Sequence, residues 1–292
     1  MDNTRRLSRI VLFVGLVLLV VPGIAAFDWD ERAVIHSQQL GTSYNPVGLG
    51  LQSKLSLQVP LYRNLEGVLW DSAKIEAAVV NRLTPAFDDV GGEVYFEPIA
   101  LADVRARFVL RQMFDGLGNG YAPLEGPDVN YGPSGDLDRF TRTGTMIEVN
   151  PRFKIAAGPF VAFDSVTFRR VEMQEKDDES GWFYEPLGDV AQENGEWQLL
   201  NSAVVLWDTP FARESRQFLV GVDYSLISVD MGDPEWQRVS LMSVWSAPDL
   251  FGGDGPAFNL VGILGGYLDH RYYSLADGEP YVAVQAGLTW TY

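Results

Sequence analysis

The chain has 292 residues, 47% of them hydrophobic and 21% charged, with a formal net charge of −17 and no cysteine. Asp and Glu outnumber Lys and Arg by 39 to 22, which excludes a nucleic-acid partner, because phosphate contacts need clusters of basic side chains. Without cysteine there is no disulfide framework, and with a mean hydropathy of −0.02 and no later run of helix-spanning length the apolar content must lie in strands.

The chain begins with Arg5, Arg6 and Arg9, followed by an apolar run over 10–21, then Pro22-Gly23 and the small pair Ala25-Ala26. A basic start, an apolar core and a small-residue site describe a removable signal peptide, expected to be cleaved after Ala26. The apolar run is shorter than the roughly 20 residues a spanning helix needs. Cleavage removes three arginines and Asp2, deepening the net charge from −17 to −19. The expected organisation is a leader over 1–26 and one domain over 27–292.

Beyond the leader, a stretch of alternating character followed by a polar interruption recurs, as expected of successive strands. The first is 33–40. The clearest is 47–62, where Leu49, Leu51, Leu55, Leu57, Val59 and Leu61 share one face and Gln52, Lys54, Ser56 and Gln58 the other. Lys54, opposite an apolar face, needs water or a counter-charge on its own side. In 68–83, Ile75, Ala77 and Val79 oppose Lys74, Glu76 and Arg82; in 93–100, Val94 and Phe96 oppose Glu93, Tyr95 and Glu97. In 104–114, Val104, Ala106, Phe108 and Leu110 oppose Arg105, Arg107 and Arg111. In 143–156, Ile147, Val149, Phe153 and Ile155 oppose Glu148, Asn150, Arg152 and Lys154. The segment 159–171 is less regular and its faces stay unassigned. Strands over 197–208, 216–226, 237–246, 257–268 and 281–292 bring the total to twelve.

In the last segment Val282, Val284, Ala286, Leu288, Trp290 and Tyr292 are apolar or aromatic, and their alternates are small or polar. Gln285, Gly287, Trp290 and Tyr292 resemble the carboxy-terminal insertion signal of Gram-negative outer-membrane β-barrel proteins. That resemblance implies recognition by the barrel-assembly machinery and surroundings of outer-membrane lipid and lipopolysaccharide. The fold expected is all-β, a single transmembrane antiparallel up-and-down barrel of about twelve strands, with ten or fourteen as alternatives. Trp207, Tyr224, Trp245 and Tyr292, near predicted strand ends, suit interfacial girdles. A soluble barrel with the same alternation would turn its apolar faces inward; periodicity alone does not separate the two.

Short connections rich in Gly, Pro and Asp alternate with two long acidic ones, 115–142 and 174–196. With the last strand ending in the periplasm, both termini are expected there and both long loops outside. If apolar faces meet lipid, then Glu76, Glu93, Glu97, Arg105, Arg107, Arg111, Glu148, Arg152 and Lys154 point inward. They form either a paired network that fills the barrel or a charged constriction that selects a solute. Arg105, Arg107 and Arg111 would favour an anionic or zwitterionic solute unless Glu93 and Glu97 neutralise them. The expected function is a narrow passive channel for small solutes. The alternatives are a closed structural or adhesion barrel, and an outer-membrane hydrolase.

The acidic run Glu172, Glu175, Asp177, Asp178, Glu179, Glu185, Asp189, Glu193 and Glu196 reads as a solvated loop, with divalent-cation binding as the functional counterpart, joined by Asp128, Asp136 and Asp138. Its aromatics Trp182, Phe183 and Tyr184, with Tyr121 and Tyr131, either anchor a partner or pack over the barrel mouth. Only His36 and His270 exist, and no elbow, zincin or P-loop motif accompanies them, so no catalytic residue, cofactor or metal ligand is assigned. His36 and Ser37, adjacent on a strand, face opposite sides. His270 reads as a surface residue at a loop edge.

Overall fold

The computed structural model describes residues 31–44, 48–62, 67, 69–116, 120–126, 138–175, 180–210, 216–252, 255–270 and 278–292. The leader, Asp128, Tyr131, Asp136, Asp177, Asp178 and Glu179 lie outside the described residues.

The strands are β1 (Ala33–Tyr44), β2 (Gly48–Pro60), β3 (Lys74–Leu83), β4 (Phe87–Ile99), β5 (Ala102–Met113), the short β6 (Pro123–Leu124), β7 (Arg142–Ala157) and β8 (Phe160–Met173). They continue with the short β9 (Trp182–Glu185) and β10 (Val190–Glu193), then β11 (Trp197–Asp208), β12 (Gln217–Val229), β13 (Pro234–Ala247), β14 (Ala257–His270) and β15 (Pro280–Thr291). The twelve long strands pair antiparallel in chain order and close on themselves through β1 and β15, with Leu40 opposite Ala286. Tyr292 N donates to Val34 O at 2.8 Å and Val34 N to Tyr292 O at 3.0 Å, so the seam is hydrogen-bonded to the last residue. Closure leaves no strand edge, which answers the lack of disulfides.

Each long strand forms because its two faces differ. Leu49, Leu51, Leu55 and Leu57 of β2 are exposed while Ser56 is buried; Phe108 and Leu110 of β5 are exposed while Arg107, Val109, Arg111 and Met113 are buried. Val239 and Leu241 of β13 face out while Ser240 faces in. The barrel is therefore apolar outside and ionised inside, the reverse of a soluble barrel. The faces of β8, open in the sequence, are settled here: Arg169 and Val171 are buried inside and Asp164 is exposed outside.

An even number of strands puts both termini at one end. The connections at that end are 61–73, 100–101, 158–159, 209–216 and 248–256. Gly158 takes φ +58 in the two-residue turn, a conformation that only glycine adopts without cost. Trp207 is exposed near this end, and Trp245 and Phe258 meet edge to face at 5.6 Å. Tyr224 does not join such a girdle, because β12 runs on to Val229 and leaves it well inside the strand, where its hydroxyl donates to Gln237 at 2.7 Å. Both long connections, 114–141 and 174–196, lie at the other end, the loop end. They supply β6, β9 and β10, which pair as a separate three-stranded sheet.

Candidate functional site: the occupied lumen

The sequence reads residues 174–196 as a solvated loop, yet β9 and β10 form a hairpin whose 186–189 turn enters the barrel. Its contacts span the lumen. Glu185 sits at the tip with 0% side-chain exposure, and Arg111 Nη1 of β5, equally buried, donates to it at 2.6 Å. Arg169 of β8 lies 3.8 Å from its other carboxylate oxygen. On the far side Trp236 Nε1 of β13 donates to Gly188 O at 2.8 Å, and His270 Nε2 of β14 lies 3.5 Å from Asp189. The Gln198 side chain of β11 donates to Gln192.

Apolar packing seats the same hairpin. Phe87, Val109, Met113, Met146, Val171 and Met173 close from the wall onto Tyr121 and Phe183, which stack at 5.3 Å. Opposite them Ile227, Val229, Trp236 and Tyr267 close onto Val190. Tyr121 and Phe183 thus pack into the mouth, Trp182 and Tyr184 pack on Leu124 and Ala191 of the small sheet, and His270 is a buried residue under the hairpin, not a surface one. Gly188 allows the tight tip. A Cβ there would lie 2.8 Å from Ile227 Cδ1 and 3.1 Å from Glu185 Oε2, and the Gly188 N–H donates to Glu185 Oε2 at 2.6 Å. Burial alone would raise the Glu185 carboxyl pKa, but the guanidiniums of Arg111 and Arg169, and the hydrogen bonds from Arg111 and Gly188, outweigh it and hold it below the usual carboxylate range.

Beneath the hairpin, β2 to β8 carry the charge. Cross-strand register puts Glu93 opposite Arg107, Asp89 opposite Arg111, Arg107 opposite Glu148, Glu148 opposite Arg169 and Asp103 opposite Arg152. Opposite charges on one face of adjacent strands pair directly. Glu93 accepts from Arg107 at 2.6 Å and from Lys54 at 2.9 Å, with Arg105 at 3.6 Å, and Lys54 also reaches Glu76 at 2.5 Å. Asp89 takes Arg111 through both oxygens, at 2.7 and 2.8 Å, and Glu148 takes Arg169 at 3.1 Å. Nearer the termini Lys154 bridges Glu97 at 2.7 Å and Asp103 at 2.9 Å, and Arg152 meets Asp103 at 3.0 Å.

All nine inward-facing residues expected from the sequence, Glu76, Glu93, Glu97, Arg105, Arg107, Arg111, Glu148, Arg152 and Lys154, therefore stand on one wall, each beside an opposite charge. The arginine ladder is not free: Glu93, Asp89 and Glu185 take it up. Sequence reasoning missed Asp89, Asp103, Arg169 and Glu185. Asp89 and Asp103 lie just outside the strands expected at 93–100 and 104–114, Arg169 falls in the segment whose faces stayed unassigned, and Glu185 was masked by the acidic composition around it.

The other wall, β11 to β15 with β1, carries mostly neutral side chains on its inner face, with Asp223 and Arg238 as exceptions. Gln285 of β15 donates to Gln39 of β1 at 2.8 Å. Gly287 lies opposite Gln39 in register, Trp290 stacks on His36 at 5.1 Å on the outer face, and Tyr292 is exposed. The four residues of the terminal signature are thus divided between the faces of the closing strand. His36 faces out and is separated from Ser37, as strand geometry requires. A cavity of about 300 Å³ opens along β8, β11, β12, β13 and β14.

No family model matches the chain, and no curated protein matches it. Among solved structures it is similar to the translocator domain of the autotransporter NalP from Neisseria meningitidis, with 8% identity, a TM-score of 0.39, and coverage of 89% of this chain and 87% of that one. It is also similar to the β domain of the Bordetella autotransporter BrkA, with 10% identity, a TM-score of 0.41, and coverage of 89% and 98%. The NanC porin matches at 11% identity and a TM-score of 0.40, over 87% and 98%.

Proposed function

We propose that the chain is an outer-membrane barrel, exported by the leader over 1–26, that forms a narrow channel for small solutes and is shut at its loop end by the β9–β10 hairpin. Rows of exposed aliphatic side chains all round the barrel support membrane insertion, because water would not tolerate so large an apolar surface. In this reading the termini are periplasmic, the loop end faces outside, and Gln285, Gly287, Trp290 and Tyr292 are what the assembly machinery reads. The nine charged residues of the β2–β8 wall border the path as a self-neutralised constriction, and we assign no catalytic role to any residue.

One observation carries the channel reading. What blocks the lumen at the loop end is a hairpin borne on a loop, held chiefly by Arg111 and Glu185, and not the barrel wall. Removing such a hairpin leaves every ladder bond of the barrel in place. Planar-bilayer recordings of refolded protein test this: the native chain should conduct little, and a chain with residues 182–193 replaced by a short Gly-Ser link should show steady unitary openings. Silence from the folded, hairpin-less chain would leave a closed structural barrel instead. That second reading is favoured by the complete burial of Arg111 and Glu185, a degree of desolvation that suits a permanent strut.

A further inference from the structure

On the charged wall each acid has a base beside it. The cavity along β8 and β11–β14 differs. It holds one acid, Asp223, and one base, Arg238, and these two are not ion-paired with each other or with any other described residue. They stand on adjacent strands with Asp223 opposite Ser240 and Arg238 opposite Ser225, so they are diagonal neighbours on one face. Diagonal Cβ atoms sit roughly 7–8 Å apart, too far for direct pairing of a short Asp unless the arginine bends towards it. The arginine does not bend. Its guanidinium lies 3.7 Å from the Tyr281 ring centroid and 5.3 Å from that of Trp236, held by two aromatic faces, and its Nε is buried without a hydrogen-bond partner.

Asp223 is held just as firmly. It is 4% exposed, and the hydroxyls of Ser202 and Ser225 each donate to one of its oxygens at 2.7 Å. Each oxygen keeps a second lone pair for a further donor. A buried carboxylate without a counter-ion is costly, and the half-buried Arg238 guanidinium, which hydrogen-bonds the Tyr267 side chain, has no carboxylate beside it either. Both charges border one space, and the rest of its lining is largely apolar, including Phe163, Leu200, Val204, Met242 and Ile263. About 300 Å³ is the lower end of what small-molecule sites offer.

We propose that this cavity binds a small zwitterion with an apolar side chain, of the α-amino-acid type, its ammonium on Asp223 and its carboxylate on Arg238. Such a headgroup presents opposite charges side by side, which matches two fixed opposite charges separated by a gap. Its apolar side chain takes the Phe163–Met242 side. Trp236, which lines the cavity, also donates to Gly188 of the hairpin, so the hairpin roofs the site. The proposal rests on reading the lumen as a solute path, and it names the solute class.

The test is calorimetric titration of the refolded full chain in detergent with three probes: L-phenylalanine, 2-phenylethylamine and 3-phenylpropionate. Phenylalanine should bind roughly tenfold or more tighter than either half-molecule, since each of those leaves one of the two charges unmet. Asp223→Asn should abolish that advantage while sparing 3-phenylpropionate, and Arg238→Gln should abolish it while sparing 2-phenylethylamine. Equal affinities for the three probes, or no heat from phenylalanine at millimolar concentration, would overturn the proposal even if neither variant folds. Conductance from the hairpin-less chain without phenylalanine binding removes the site and keeps the channel. Binding without conductance keeps the site and removes the channel.

Discussion

The two walls of this barrel solve the same problem in opposite ways. On β2–β5, β7 and β8, ionised side chains project inward from consecutive strands, and the antiparallel register sets acid against base at Glu93–Arg107, Asp89–Arg111, Glu148–Arg169 and Asp103–Arg152, so the wall neutralises itself. On β11–β15 and β1 the inner positions are mostly neutral, which leaves a cavity and holds Asp223 and Arg238 on hydroxyls and aromatic rings, with no ion pair between them. The hairpin belongs to both walls: its carboxylate tip and Phe183 are held by the charged one, and the Gly188 carbonyl and Val190 lean on the neutral one. A wall of fixed, paired charge gives rigidity, and a wall of mostly neutral residues gives room.

If the charged wall holds the hairpin, Arg111→Met should have the largest effect. It leaves Asp89 and Glu185 buried without their guanidinium, and breaking a buried pair from one side costs about 3–5 kcal/mol. A lowered urea midpoint for the tryptophan signal, together with openings in bilayer recordings, is the expected outcome. An unchanged midpoint would mean the clamp contributes nothing.

Acid should act next. The Glu185 carboxyl is held below its usual range, while in the unfolded chain it titrates near about 4.3. A depressed folded value contributes stability that is complete above the unfolded value and lost as pH falls through the folded one. The hairpin should therefore stay clamped from neutral pH down to about pH 4 and loosen only below that. Conductance against pH checks this, and Glu185→Gln should flatten the profile. Openings that begin at pH 6 would point to another group.

A smaller effect is expected at the tip. Gly188→Ala pushes a methyl towards Ile227 Cδ1, the movable end of a side chain, for a cost of about 1–2 kcal/mol. Brief openings without loss of the barrel would show as flicker in single-channel records. Least of all, Gln39→Ala on the neutral wall should shift the urea midpoint by no more than about 0.5 kcal/mol equivalent, because it removes one solvent-accessible amide contact.

The twelve strands were legible because an apolar outer face and a polar inner one impose a period of two on every long strand, and strands such as β11 match their sequence bounds at both ends. The inward set was legible for the same reason. What escaped was everything set by tertiary contact. β6, β9 and β10 are two to four residues long, too short for periodicity to register. Glu185 read as one more solvated acid, although Trp182-Phe183-Tyr184 just before it and Gly188 just after it were the available hints of a packed, tight hairpin. Asp223 and Arg238 looked like ordinary single charges in separate strands, and only the register between β12 and β13 brings them to one cavity.

The absence of native cysteine makes one measurement decisive for the orientation on which all of this rests. Gln39→Cys and Leu40→Cys are adjacent on β1, the first facing the lumen and the second 54% exposed on the outer surface. In liposome-reconstituted protein, a charged, membrane-impermeant thiol reagent should modify the cysteine at 39 and spare the one at 40, which lipid covers. Modification at 40 with protection at 39 would contradict the account.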